Sequence, residues 1–272
     1  MIFPDEELAL SYMQNVGSFR LKAYWYDKQD PITKQFAPGT NFGTVVDMYE
    51  FDRLLRAKAF YTIDRLEIAI RSTISNQLAL RHGPHWYLDA KIFKPIAKWQ
   101  YGTMLKKIED EVGRASGRAY IASYNKNYDD PYIAQSWAIT ECVTFGFWSK
   151  TYEILRDPND KKAISKKFGI DTTEVFTSWL HTLTYFRNLV AHHEKLLNTT
   201  LAISASSYKA KSIRLSQNRS VYAAATIINF LSQQTGLSHT WKADLIDLFA
   251  SFPNIDISQL GFPKNWQGQP GW

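Results

Sequence analysis

The stretch TVVDMYEFDRLLRAKAFYTIDRLEIAIRSTISNQLALRH, residues 44–82, decides the fold class. Within it Leu55, Ala59, Ile63, Leu66, Ile70, Ile74 and Leu78 recur every three or four residues, which makes one buried stripe on an α-helix. Thr44-Val-Val-Asp47 resembles a capping box and Gly83-Pro84 supplies a stop. A helix of this length is expected to bend or break once. On its N-terminal side a short helix over 5–15 stops at Gly17, and a second segment, 19–26, runs into a loop through Pro31, Pro38 and Gly39.

On its C-terminal side, residues 91–126 read as one or two basic helices carrying Lys91, Lys94, Lys98, Lys106, Lys107, Arg114, Arg118 and Lys126. A helix over 134–156 is expected to be distorted at Gly146, and Asp157-Pro158 restarts the chain as far as Gly169. Asp171-Thr-Thr-Glu174 reads as a capping box that opens a helix to about Asn198. Residues 204–219 are polar and basic, with Lys209, Lys211, Arg214 and Arg219; helices over 219–235 and 239–251 follow, and the tail 253–272 is irregular. Strand signals are few, so the class is all-α. A single domain, 1–272, is expected, with an N-terminal helical cap (1–43), a helical core (44–252) and the tail (253–272).

Composition narrows the function classes. At 272 residues the chain can bury a core without metal or disulfide staples, and 45% apolar residues exclude a disordered chain. One cysteine, Cys142, excludes an internal disulfide and a cysteine-rich zinc site, and it suits a reducing compartment. The acidic start has no apolar signal core. The most apolar run, 221–231, is interrupted by Thr226 and Asn229 and is too short to span a bilayer. A cytoplasmic protein with no membrane partner is expected. The formal net charge of +6 speaks only to non-specific attraction for polyanions, although a basic chain rich in Tyr and Trp can also stack bases.

The sharpest cluster of functional side chains is Tyr185-Phe-Arg187-Asn188-Leu-Val-Ala-His192-His193-Glu194. The core stripe of its helix is Phe176, Trp179, Leu183, Phe186, Val190 and Leu197. On an ideal helix Arg187 sits at the edge of that stripe, Asn188 and His192 point away from it, and His193 falls near the buried edge, where it fits a packing histidine. The bland account is a hydrogen-bonded surface patch. Adjacent histidines diverge by about 100° on a helix, so His192 and His193 do not readily share an ion, and His-His-Glu is not the zinc motif. No metal or other cofactor is expected. On the long helix Asp64, Glu67 and Arg71 share a polar face; Glu67 and Arg71 are spaced as an i,i+4 salt bridge, or alternatively orient Arg187 or His192. Arg20, Tyr24 and Trp25 read as packing residues before base-stacking ones.

Arg187-Asn188-x-x-x-His192 resembles the Arg-x4-6-His motif of the HEPN superfamily of helical ribonucleases, with Asn188 as the polar residue after the Arg. The wider pattern, residues 185–198, resembles the bacterial abortive-infection family (Abi-like, AbiD/AbiF type). So do Phe19-Arg20-Leu-Lys-Ala-Tyr-Trp-Tyr26, Tyr49-Glu-Phe-Asp-Arg53, Arg65-Leu-Glu67-Ile-Ala-Ile-Arg71, Gly83-Pro-His-Trp-Tyr87, Trp137-Ala-Ile-Thr-Glu141 and the tail block Gly261-Phe-Pro-Lys-Asn-Trp266. The resemblance implies a HEPN-like helical domain with family-specific helical additions. It implies metal-independent cleavage of RNA in phage defence or as a toxin, with an antitoxin or a small regulatory RNA as a further partner. Its catalytic set maps onto Arg187, Asn188, His192 and His193, the last without an assigned role. A HEPN-like RNA-binding or regulatory module that does not cut is the alternative. Five residues separate Arg187 from His192, about 140° and 7.5 Å on an ideal helix. One regular helix therefore aims them poorly at one phosphate. Either the helix is distorted at the motif or two copies face each other, and a homodimer with RNA in a composite cleft is expected.

Overall fold

Burial of the stripe between residues 55 and 78 organises the molecule. In the computed structural model, which describes residues 1–95, 99–237 and 239–272, each of its seven side chains is at most 1% exposed. The N-terminal layer consists of α1 (Glu6–Tyr12), a π-helical turn over Met13–Gly17, and α2 (Ser18–Trp25). Then comes α3 (Phe42–His82), against which most other elements pack. Next are α4 (Tyr101–Arg114), α5 (Ala119–Asn127), α6 (Ser136–Ile139), α7 (Phe145–Ile154) and α8 (Pro158–Lys166). The chain continues through α9 (Thr173–Ala191), α10 (Val221–Gln234) and α11 (Trp241–Ser251). Among the described residues there is no β-strand, only isolated bridges such as Phe93 with Leu155. The all-α class is correct.

Fully burying one Leu or Ile is worth about 1.5–3 kcal/mol, whereas helix propensities differ by less than about 1 kcal/mol per residue. Burial of its stripe under the surrounding helices therefore holds α3 as one uninterrupted helix of 41 residues, with no break along it. It also starts earlier. Asn41 is the N-cap and accepts from Gly43 N–H at 2.7 Å, so Thr44 is already helical. The C-terminal end is tied to α8 by polar contacts: Arg81 and His82 both meet buried Asp160 near its start, at 2.8 and 2.9 Å.

The helix expected over 134–156 is two helices, because residues 140–144 leave the helical path. Buried Ser136 and Ser75 share a hydrogen bond of 2.9 Å that fixes α6 on α3. Gly146 lies inside α7 instead of distorting it, where an added Cβ would come within 3.4 Å of Thr184 Cγ2 on α9. Asp171 does not cap α9: the N-cap is Thr172, which makes no side-chain bond. The basic stretch 91–126 begins in one short 3-10 turn (Ala90–Ile92) and continues into α4 and α5, and Lys98 lies outside the described residues.

Thr226 and Asn229, the two polar interruptions of the apolar run, receive the tail. Asn229 Nδ2 donates to the Gly271 carbonyl at 2.8 Å, and Trp272 Nε1 donates to Thr226 Oγ1 at 3.0 Å. Leu260, Phe262 and Trp266 are buried in turn, so the irregular tail is packed onto α10 and α11. No described helix is long and apolar enough to cross a membrane.

Candidate functional site

α9 lies against α3 with Phe176, Trp179, Leu183, Phe186 and Val190 buried, the stripe read from sequence. The helix then stops inside the motif. His192 is the C-cap, and His193 is left-handed at φ 59°. His193 N–H donates to the Val190 carbonyl at 3.3 Å and Glu194 N–H to the Leu189 carbonyl at 2.9 Å, the paired bonds of a Schellman turn. This overturns a helix running to residue 198, and with it the placement of His193 on the buried edge. Both histidines are exposed, as is Asn188, while Arg187 is partly buried. Leu197 is buried as expected, but from the segment beyond the turn and not from the helix.

A left-handed C-terminal position ordinarily favours glycine. His193→Gly is therefore expected to keep or slightly raise the melting temperature. If RNA cleavage by that variant stays at the wild-type rate, His193 is a turn residue only; a fall in rate with the fold intact would give its imidazole a part in the chemistry.

Three layers of polar contact hold the turn. Arg20 Nη1 donates to the His193 carbonyl at 2.9 Å. Arg56 Nη1 donates to the Glu194 carbonyl at 3.2 Å. Behind them, fully buried Asp52 accepts from the backbone N–H groups of Leu196 at 2.8 Å and Leu197 at 3.2 Å. The same carboxylate accepts from Tyr24 OH at 2.8 Å and Arg56 Nη1 at 2.7 Å. Burial pushes the Asp52 carboxyl up, against the pull of the Leu196 N–H, the Arg56 guanidinium and the Tyr24 hydroxyl. Lys195 Nζ donates to the Ala23 carbonyl at 2.6 Å, tying the segment to α2. Backbone carbonyls are thus clamped inward and the imidazoles are left in solvent.

Asp52 lies in the block Tyr49–Arg53 but was given no role from sequence, and Arg56 was not singled out. The available signal was an acid and a base four residues apart, each next to an apolar residue, Phe51 and Leu55. The role of Arg20 was also read differently: it neither stacks nor packs in the core, but holds the turn.

Arg187 is positioned from α3. Its Nε is 3.3 Å from Glu67 Oε2, an ion pair without an aligned hydrogen bond, and its Nη1 lies 3.5 Å from Asn188 Oδ1. The guanidinium carbon stands 6.0 Å from the centre of the Phe60 ring. Arg71 does not pair with Glu67; it makes two bonds to Glu141 at 3.0 and 3.1 Å. Of the two accounts of this face, the helix salt bridge is therefore wrong and the contact to Arg187 is correct. Burial raises the Glu67 carboxyl above the ordinary glutamate range, opposed by Arg187 and Arg71. With the folded value above the unfolded one, its contribution to stability is complete below the unfolded value and is lost as pH rises through the folded one. Glu67→Gln is accordingly expected to leave the melting temperature at pH 7 unchanged or higher while loosening Arg187. A drop in RNA cleavage at preserved stability checks this, and a large loss of stability would contradict it.

Between α3 and the end of α9 runs a groove of about 640 Å³, with Ala57, Val190 and Ala191 along it. Elsewhere, the basic segments differ in availability. Lys107 and Arg114 are paired to Glu111, and Arg219 Nε donates to the Leu201 carbonyl. Lys162, Lys166, Lys167, Lys209, Lys211 and Arg214 are exposed. No group of His, Cys, Asp or Glu among the described residues is arranged to hold a metal ion.

The chain matches the family described as Abi-like protein over residues 11–198, well over half its length. The match stops just beyond the clamped turn, so α10, α11 and the tail lie outside it. No curated protein matches the chain, and no solved structure does.

Proposed function

Because the chain belongs to the Abi-like protein family, we propose that it is a metal-independent endoribonuclease of the HEPN type acting in abortive infection. The observation that carries this reading is the turn. A helix ends between Arg187 and His192, leaving an imidazole in solvent on a clamped backbone and a guanidinium tethered by Glu67 at the same corner.

RNA carries its own nucleophile. The 2′-hydroxyl attacks the adjacent phosphorus, the bond to the 5′-oxygen breaks, and the products are a 2′,3′-cyclic phosphate and a 5′-hydroxyl. One proton leaves the 2′-oxygen and one joins the 5′-oxygen; a histidine performs such transfers near neutral pH. Arg187, always charged and fork-shaped, stabilises the phosphoryl oxygens as charge builds on them. Two proton transfers and one clear proton carrier per chain favour a two-fold dimer, with His192 and Arg187 of both copies lining one cleft and Asn188 beside them.

The test is RNA incubated with pure protein in EDTA, with end-group analysis of the products. Cyclic phosphate ends from RNA and no cleavage of DNA are the expected result; no cleavage under any condition would leave only a binding module. Binding carries its own prediction. If the exposed lysines of 161–167 and 209–214 contact phosphates, affinity for RNA falls steeply with salt, by about 0.7 in the log-log slope per contact on a single strand. A flat response would make those segments solubilising faces.

A further inference from the structure

One face of α3 is exposed beside the motif in a way core packing does not require. Phe60 and Tyr61 are 41% and 61% exposed, and Asp64, three to four residues on, shares their helix face. With Ala57 and Val190 they line the 640 Å³ groove, which is within the range that holds a small-molecule ligand. Arg53, Arg56 and His193 also line the groove, and the Arg187 guanidinium stands over the ring of its Phe60 at 6.0 Å. Resting on the ribonuclease reading above, we propose that this groove holds one unstacked base of the RNA strand and selects guanine.

The groove's chemistry is complementary to a nucleotide part by part. Aromatic side chains offer faces on which a base stacks. Asp64 offers an acceptor to the base edge and makes no ion pair among the described residues. Arg187 offers a cation to the neighbouring phosphate. The carboxylate decides between bases. Guanine presents two adjacent donors, N1–H and the N2 amino group, which match the two oxygens of a carboxylate. Adenine and cytosine place an acceptor nitrogen next to their amino group, which repels a carboxylate. Uracil flanks its single N–H with two carbonyls. A base seated here sets the phosphate at Arg187, so the groove fixes which bond of the strand is cut.

Binding of labelled 2′-deoxy heptanucleotides TTTNTTT by the full chain tests this, because these strands cannot be cut by the 2′-hydroxyl route. The strand with N = G is expected to bind about tenfold more tightly than the all-T strand. Tyr61→Ala should weaken the G strand by about tenfold, within the range that loss of one stacked base gives. Asp64→Asn should level the preference for G, bringing the G strand and the all-T strand to the same affinity. Equal affinity for all four strands, or no effect of Tyr61→Ala, overturns the proposal. If Tyr61→Ala instead halves the sedimentation mass, a second copy covers the groove and the proposal is likewise overturned. Absence of RNA cleavage alone would defeat the ribonuclease reading and leave these binding results standing.

Discussion

His192→Ala and Arg187→Ala are each expected to abolish RNA cleavage, and with it any toxicity, in a protein that folds normally. His192 is an exposed C-cap, so its truncation removes little packing. Losing a proton-transfer group costs about 10²–10⁴-fold in rate. Losing a cation aimed at developing phosphoryl charge costs on the order of 10²–10³-fold, by analogy with oxyanion donors. Arg187 is partly buried against Glu67, so Arg187→Lys is the better-behaved companion. It keeps the charge but not the planar fork, and a large loss in that variant would point to the fork itself. The measurement is single-turnover cleavage, with circular dichroism and melting temperature as controls. Cleavage at the wild-type rate by His192→Ala would refute the assignment of this motif.

Asp52→Ala is expected to be the most destabilising single change near the site. It would leave the Arg56 guanidinium, 5% exposed, without its carboxylate, and strand the N–H groups of Leu196 and Leu197 with the Tyr24 hydroxyl. Breaking a buried pair from one side costs about 3–5 kcal/mol, and for a chain of this size that lowers the melting temperature by on the order of 10 °C. Cleavage should fall as well, since the turn carrying His192 loses the anchor beyond it. Asp52→Asn keeps the shape but turns an amide towards one of the donors, so an intermediate loss is expected. A change of less than a degree or two in Asp52→Ala would mean that the turn is held without this carboxylate.

Much of the fold was legible because hydrophobic period is a local property. The stripe of α3, that of α9 as far as Val190, the stop at Gly83 and the restart at Asp157-Pro158 are all written in neighbouring residues, and each sits where it was read. Helix ends were less legible. Thr44-Val-Val-Asp47 and Asp171-Thr-Thr-Glu174 have capping form, yet Asn41 and Thr172 are the caps, because packing along the helix decides where the first turn closes.

By itself the sequence determined the helical class, which follows from hydrophobic spacing along the chain, and offered Arg187, Asn188, His192 and His193 as candidates through the family resemblance of their motif. It could not place the end of α9. A helix continues or stops according to whether its last carbonyls and the donors beyond them find better partners elsewhere. Here those partners are Asp52, Arg56 and Arg20, 144, 138 and 173 residues away in sequence. For the same reason Glu67 turned from its i,i+4 neighbour Arg71 to Arg187. Arg71 has Glu141 to bond, and a partner brought in by tertiary packing outweighs one offered by helical spacing.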